Sequence, residues 1–424
     1  MTYFFSKMTV PKFLGLVVAM AFMIIGCQSI PIPTTNPSNT SSVTVTLSGW
    51  GANPSEKKLL KQLLKDFEKQ HRGIKVKHEE IADQYMDVMK TRLVGEAAPD
   101  VFYLDALEAP FFMSQGVLEN LDNYISPEFD IADFEDILLN SFKSDNHIYG
   151  LPKDYSTLAL FYNKTAFALE GLENPPTTWD ELRSYSQKLN NPPQQYGFGE
   201  IPELARQAYK IKAFGGNVVD TYNRAAFATP SALKGLELVI NQYQKERTSA
   251  QKTDVGTNSG SEMFGQGKVA MVIEGNWAIP YLKETFPKLD FATAEIPSIN
   301  GKKGTIAFTV AYVMNKQSQH KKEAWELIAY LTVKEGMEKW TASGFALPSR
   351  KSVAENLGYN QDPLRSALVA GANYSMTWQA GKYPAAILNN FDNQFLSAML
   401  GQQPLKQAMQ RAQNQANNLI RAID

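Results

Sequence analysis

The stretch VTVTLSGWGANPSEKKLLKQLLKDFEKQHRGIKVKHEEIADQYMDVMKTRLVGEAAPDVFYLD, Val43 to Asp105, decides the fold class. Val43-Thr44-Val45-Thr46-Leu47 is β-branched and alternating, the pattern of a strand. From Ser55 to Gln70, Leu59, Leu60, Leu63, Leu64 and Phe67 recur at helical spacing. Ile74-Lys75-Val76-Lys77 reads as a second strand, Tyr85 to Gly95 as a helix, and Pro99 to Leu104 as a third strand. Strands alternating with helices imply an α/β fold with a parallel sheet and right-handed crossovers. Ligands of such sheets gather at the carboxyl ends of the strands, which points to Trp50 after the first strand and Asp105 after the third.

Upstream, Lys7 and Lys12 precede the apolar run Phe13 to Gly26 (FLGLVVAMAFMIIG). A basic head and an apolar stretch of about 7–15 residues make a secretory signal, too short for the roughly 20 residues that span a bilayer. The run ends in Ile24-Ile25-Gly26-Cys27, which resembles a bacterial lipobox, so residues 1–26 are expected to be removed and Cys27 lipidated. Cys27 is the only cysteine, which excludes internal disulfides and cysteine-based zinc sites. Residues 27–42, rich in Pro, Ser, Thr and Asn, read as a flexible tether. The protein is therefore expected in the cell envelope, either periplasmic or on the outer face of the cytoplasmic membrane.

Downstream, a second α/β unit opens at Leu158 to Tyr162, with helices expected at Trp179 to Leu189 and Ser231 to Glu246 and a strand at Val269 to Ile273. Thr248 to Ser261 reads as a polar loop, and Lys321 to Leu331 and Leu405 to Ile423 as helices. A chain of 424 residues exceeds one core, so two lobes are expected. With 42 basic and 43 acidic side chains, no positive excess is available for nucleic acid. The four histidines, His71, His78, His147 and His320, have no metal-ligand spacing, and no cofactor is implied. Phe264 to Lys268 (FGQGK) lacks the first glycine of a P-loop and carries Val269 where Ser or Thr would hold magnesium. A tight turn before a buried strand explains it. No GxSxG elbow is present. A carboxylate pair of glycosidase type stays open on composition alone, but nothing positive points to catalysis.

A family likeness is carried by Glu68 to Lys75 (EKQHRGIK), Ala98 to Phe102 (APDVF), Ser114 to Leu121 (SQGVLENL) and Ile148 to Lys164 (IYGLPKDYSTLALFYNK). Pro175 to Leu182 (PPTTWDEL), Phe264 to Trp277 (FGQGKVAMVIEGNW) and Gly344 to Ser349 (GFALPS) continue it in order. Together they resemble the extracellular solute-binding proteins, family 1, which serve ABC importers of maltose, trehalose and oligosaccharides. The resemblance implies a two-lobed periplasmic-binding-protein fold of class II type. Lobe 1 would comprise residues 43–154 and 310–345, and lobe 2 residues 155–309 and 346–424. Hinge crossings would then fall near Asp154-Tyr155, Phe308-Thr309 and Ala346-Leu347, with the ligand cleft between the lobes.

A sugar presents C–H faces to aromatic rings and hydroxyls to carboxylates, amides or Arg. Trp277 stands where the family places a stacking aromatic; Trp50 and Trp378 are either further platforms or core residues. Asp105 is a hydroxyl acceptor or a helix cap, and so is Asp83, beside Tyr85. Asp154, Tyr155 and Phe308 lie at crossings; Glu203 and Arg206 either reach the ligand or form an ordinary ion pair. Trp179, Trp325 and Trp340 fall in helical patterns and read as core. The expectation is a monomeric lipoprotein that captures a mono- to trisaccharide or glycosyl-polyol osmolyte and delivers it to a membrane permease. Trehalose, sucrose, maltose and glucosylglycerol would all fit. A lipid-anchored glycoside hydrolase and a same-fold binder of a non-sugar solute are the alternatives.

Overall fold

The computed structural model describes residues 42–51 and 54–423. The signal segment, Cys27 and all of the expected tether except Ser42 lie outside the described residues. No helix among the described residues is long and apolar enough to cross a membrane.

Three strands open the chain, β1 (Val43–Trp50), β2 (Ile74–Ile81) and β3 (Val101–Asp105). A small hairpin, β4 (Lys143–Ser144) and β5 (His147–Ile148), precedes the long β6 (Gly150–Asn163). Then come β7 (Tyr196–Gly199), β8 (Ser249–Ala250), β9 (Val269–Gly275) and β10 (Phe291–Ala294). The long β11 (Thr305–Met314) and the short β12 (Ser375–Thr377) complete the set. The sheet runs β2-β1-β3-β11-β6-β9-β7-β8, with β10 beside β6 and β12 beside β11.

The order contains one motif twice. β1 pairs in parallel with β2 and β3, and β7 pairs in parallel with β8 and β9. In each triplet the first strand in sequence is central. Between the triplets, β11 and β6 run antiparallel to each other, β11 against β3 and β6 against β9. Parallel strands need long crossovers, and here helices supply them. The Pro54–Gln70 helix joins β1 to β2 and buries Leu60, Leu63, Leu64 and Phe67 on the face that the leucine spacing marks out. Thr178 caps the Trp179–Lys188 helix: its hydroxyl accepts from the Glu181 amide and the Glu181 side chain returns to the Thr178 amide.

Apolar side chains collect in separate clusters. One draws on β1 to β3, the start of β6, the end of β11 and the helices around Leu327 and Trp340. Another draws on the end of β6, β9 and the helices through Ile420, and a third covers the other face of the same strands. Along β6, Leu158 and Leu160 enter one cluster while Ala159 and Phe161 enter the other, the two-residue alternation of a strand covered on both sides. β6 and β11 thus pass from the first body of core to the second.

The expected crossings meet at one place. Thr309 pairs with Tyr155 and Val310 with Asp154, and the register of β11 against β6 shifts between Val310 and Ala311. Leu347 exchanges both backbone hydrogen bonds with Tyr155 at 2.9 Å. Two differences from the sequence reading matter here. β7 has four residues and β8 two, too short for a periodicity to show. The stretch 248–261, expected as one loop, carries β8 and the start of the Gly260–Gly265 helix.

Candidate functional site

The end of β9 builds one wall. Trp277 follows Gly275-Asn276 and is 39% exposed, so one part of its ring is open and the rest is held. Its Nε1 donates to Glu274 Oε2 at 2.9 Å. The Arg206 guanidinium lies 5.5 Å from the ring centroid and donates to Ile273 O at 2.7 Å and to Glu274 Oε2 at 3.2 Å. The Phe308 ring meets Trp277 edge-on at 5.8 Å. A Cβ at Gly275 would sit 2.2 Å from the Trp277 ring, so only glycine lets the ring fold back over its own strand end.

Asn276 bolts this loop to the crossings. It is fully buried; its backbone N–H donates to Ser156 Oγ and its Nδ2 to Gly344 O, each at 2.8 Å. With Trp277 against Phe308, residues 276–277 touch Ser156, Gly344 and Phe308, each at or near an expected crossing.

Around Trp277 opens a cavity of about 650 Å³ lined by Glu200, Glu203, Arg206, Glu274, Tyr281 and Asp392 among others. Glu203 is exposed and precedes the Leu204–Ala213 helix without capping it. Arg206 pairs with Glu274 and not with Glu203, so the ordinary ion pair considered from spacing does not form. Asp392 Oδ1 accepts from the Leu204 amide at 2.7 Å. Burial, and then the nearby Glu203 charge, push the Asp392 carboxyl up to about 6, against the opposing pull of that amide. Beneath, Lys210 donates to Glu200 at 3.1 and 3.3 Å and to Gln207 Oε1 at 2.9 Å, all fully enclosed.

A second group of aromatic side chains lies at the carboxyl end of β1. Trp50 packs edge-on against Tyr85 and Tyr103, each at 5.3 Å between centroids. Beside them a cavity of about 180 Å³ is lined by Trp50, His78, Tyr103, Lys153, Asp154 and Trp340 among others. Lys153 is 7% exposed; it pairs with Asp154 and lies 4.3 Å above the Trp340 ring centroid and 5.1 Å from that of Tyr103. Trp340 Nε1 donates to Asp154 Oδ2 at 2.7 Å. Burial lowers the His78 pKa and raises that of Tyr103.

Other expected residues stand elsewhere. Tyr85 is buried, donating to Ser48 O at 2.9 Å and accepting from the Tyr103 amide at 3.0 Å; its ring supports Trp50 from below. Tyr155 is 2% exposed and packs in the core with Phe161 and Leu347, because its strand position points away from that of Asp154. Asp83 is exposed and caps nothing; Gln84, at φ 50°, takes the cap position of the following helix. Trp378 is 6% exposed in the core cluster and reaches Phe308 at 6.5 Å. Asp105 ends β3 opposite Val310 and accepts from the Leu107 amide at 2.7 Å. Burial raises its carboxyl to about 6 despite that bond.

The sequence reading did not single out Glu274, Lys153 or Asp392; Trp340, which it gave to the core, is buried in a core cluster and also borders the smaller cavity. Glu274 could have been found from its place at the end of β9, the edge that already marked Trp277. Asp392 lies inside the Pro384–Met399 helix, where nothing in the spacing distinguishes it.

The family model described as bacterial extracellular solute-binding protein matches residues 51–338. The chain belongs to this family. A Brucella abortus chain described only as a binding protein is 29% identical over 69% of this chain and 73% of its own. The multiple sugar-binding protein of Streptococcus mutans is 25% identical over 83% of this chain and 87% of its own. Among solved structures, the sugar-binding protein MalE of Xanthomonas citri superposes with a TM-score of 0.80 over 90% of this chain and 98% of its own, at 22% identity. The fold is therefore the two-lobed, periplasmic-binding-protein architecture. In this solute-binding protein β6 and β11 run between the two strand triplets, and Leu347 pairs with Tyr155 of β6.

Proposed function

We propose that this protein captures a small carbohydrate between its lobes and hands it to the membrane permease of an ABC importer. The observation that carries the reading is Trp277: a large aromatic ring held open on one part by glycine, Arg206 and Glu274, at the edge of a cavity of about 650 Å³. An exposed ring fixed in this way suits the C–H face of a sugar, and surrounding carboxylates and amides suit its hydroxyls. The volume falls inside the roughly 300–1,000 Å³ of small-molecule sites, which suits a mono- to trisaccharide or a glycosyl-polyol such as glucosylglycerol. Sugar-binding relatives, the Streptococcus mutans protein among them, support the same ligand class. In this reading Trp50, Lys153 and Asp154, around the smaller cavity, supply the other side of the cleft, and Asp105 and Phe308 flank it where β11 pairs with β3 and β6.

In this reading lobe 1 comprises residues 43–154 and 310–345 and lobe 2 residues 155–309 and 346–424. The chain acts as a monomer and catalyses no reaction. It is lipid-anchored through Cys27 on the periplasmic or outer side of the membrane. A thermal-shift and calorimetric screen of residues 42–424 against trehalose, sucrose, maltose, maltotriose and glucosylglycerol tests the reading. One of them should bind with a Kd near the micromolar range, about −8.2 kcal/mol, and come through unhydrolysed. Absence of any sugar-induced shift, or appearance of cleaved product, would overturn it.

A further inference from the structure

The enclosed cations around the two cavities are already engaged. Lys210 is held by Glu200 and Gln207. Arg206 spends its guanidinium on Ile273 O and Glu274, and Lys153 is paired with Asp154 over the Trp340 ring. Lys57 is bound to Glu80 at 2.6 Å. Lys252 also lines the larger cavity but is exposed and has no ion pair among the described residues; a solvated lysine there contributes little to holding an anion.

The anions are not matched in the same way. Glu203 and Asp392, both lining the larger cavity, have no cationic partner within ion-pair distance among the described residues. Asp105, opposite Val310 at the end of β3, has none either among the described residues, and its carboxylate accepts from the Leu107 amide. Burial is the main cause that raises the Asp105 and Asp392 carboxyls, and the neighbouring Glu108 and Glu203 charges add to it. A phosphate or carboxylate entering this space would meet uncompensated like charge, and no enclosed cation is free to receive it. Hydroxyls and protonated amines would meet acceptors.

We propose that the cleft selects its ligand by charge, taking a neutral or amine-bearing sugar and refusing a phosphorylated or carboxylated one. The inference rests on the reading of the site as a sugar cleft and adds the class of sugar. Glu203 and Asp392 are the discriminating groups, since neither has a cationic partner among the described residues and both line the cavity that Trp277 borders.

The test is calorimetry on the wild-type chain with matched sets: trehalose against trehalose 6-phosphate, maltose against maltose carrying a terminal uronic acid, and cellobiose against the glucosamine disaccharide. Within any set whose neutral or amino member binds, the anionic analogue should be at least a hundredfold weaker, and the amino analogue at least as tight as the neutral one. In a Glu203→Gln, Asp392→Asn variant the penalty on the anionic analogue should shrink by at least tenfold. An anionic analogue that binds wild-type protein as tightly as its neutral partner overturns charge selection and leaves the sugar cleft standing. An unchanged penalty in the folded double variant overturns the assignment to these two residues. Silence from every sugar of every charge overturns the sugar reading itself, and the charge selection falls with it.

Discussion

Replacing Trp277 by Ala separates a ligand platform from a core side chain. A tryptophan exposes roughly 250 Å² when fully open, so the 39% that remains exposed leaves roughly 100 Å² of ring for a ligand to cover. A sugar that covers half to all of it gains about 1.3–2.5 kcal/mol at ~25 cal/mol per Å². Loss of the ring should therefore raise Kd roughly ten- to seventyfold. Folding stability should fall too, because the enclosed part packs on Phe308 and Gly275 and bonds Glu274. Full truncation of a core aromatic costs about 3–5 kcal/mol; with about three-fifths of the ring enclosed, roughly 2–3 kcal/mol is expected here. Trp277→Phe keeps a ring and should recover most of the affinity while still lacking the Nε1 bond. Calorimetry and urea denaturation on the two variants give both quantities. If the Ala variant loses stability as a core residue would and still binds sugar within twofold of wild type, the platform assignment is refuted.

Other substitutions probe the support of the site. Asn276→Ala deletes the Nδ2 bond to Gly344 O and should cost about 1–3 kcal/mol, with faster amide exchange at residues 344–347 by mass spectrometry. Unchanged exchange there would mean that Asn276 does not hold the crossing. Asp392→Asn keeps an acceptor for the Leu204 amide and removes a titrating group whose folded pKa lies above its unfolded value. The native state of the wild type binds the extra proton, so its stability contribution fades as pH rises from about 4 through about 6. The Asn variant should gain on the wild type across that window by on the order of 1–3 kcal/mol in denaturant titrations at pH 4.5 and 7.5, and a constant gap would contradict this. Lys210→Met strands Glu200 in a dry place and should cost about 3–5 kcal/mol, whereas adding Glu200→Leu should restore most of it. Equal losses in the single and double variants would show that no buried charge is at stake.

The first lobe was legible because its elements are long and regular. Seventeen residues of helix with leucines on one face and an eight-residue first strand leave little choice of period or register. The second lobe hid its topology, since β7 and β8 are too short to alternate visibly, and the doubled strand order appears only in the pairing. Strand-end position pointed to Trp50 and Trp277, which the fold sets at the end of β1 and just beyond β9. It could not tell which way a side chain turns at a crossing: Asp154 joins a cavity and its neighbour Tyr155 enters the core. Nor could it show that Arg206 is taken up by a glutamate 68 positions later, a partnership made by folding alone.

Small-angle scattering from residues 42–424, with and without a saturating bound sugar from the screen, tests the clamp most directly. A ligand gripped between lobes that hinge at Tyr155, Thr309 and Leu347 stabilises the closed arrangement, so the radius of gyration should fall on binding and return when the sugar is dialysed away. A radius unchanged at saturation, with calorimetry on the same sample confirming occupancy, would contradict capture by closure of two lobes.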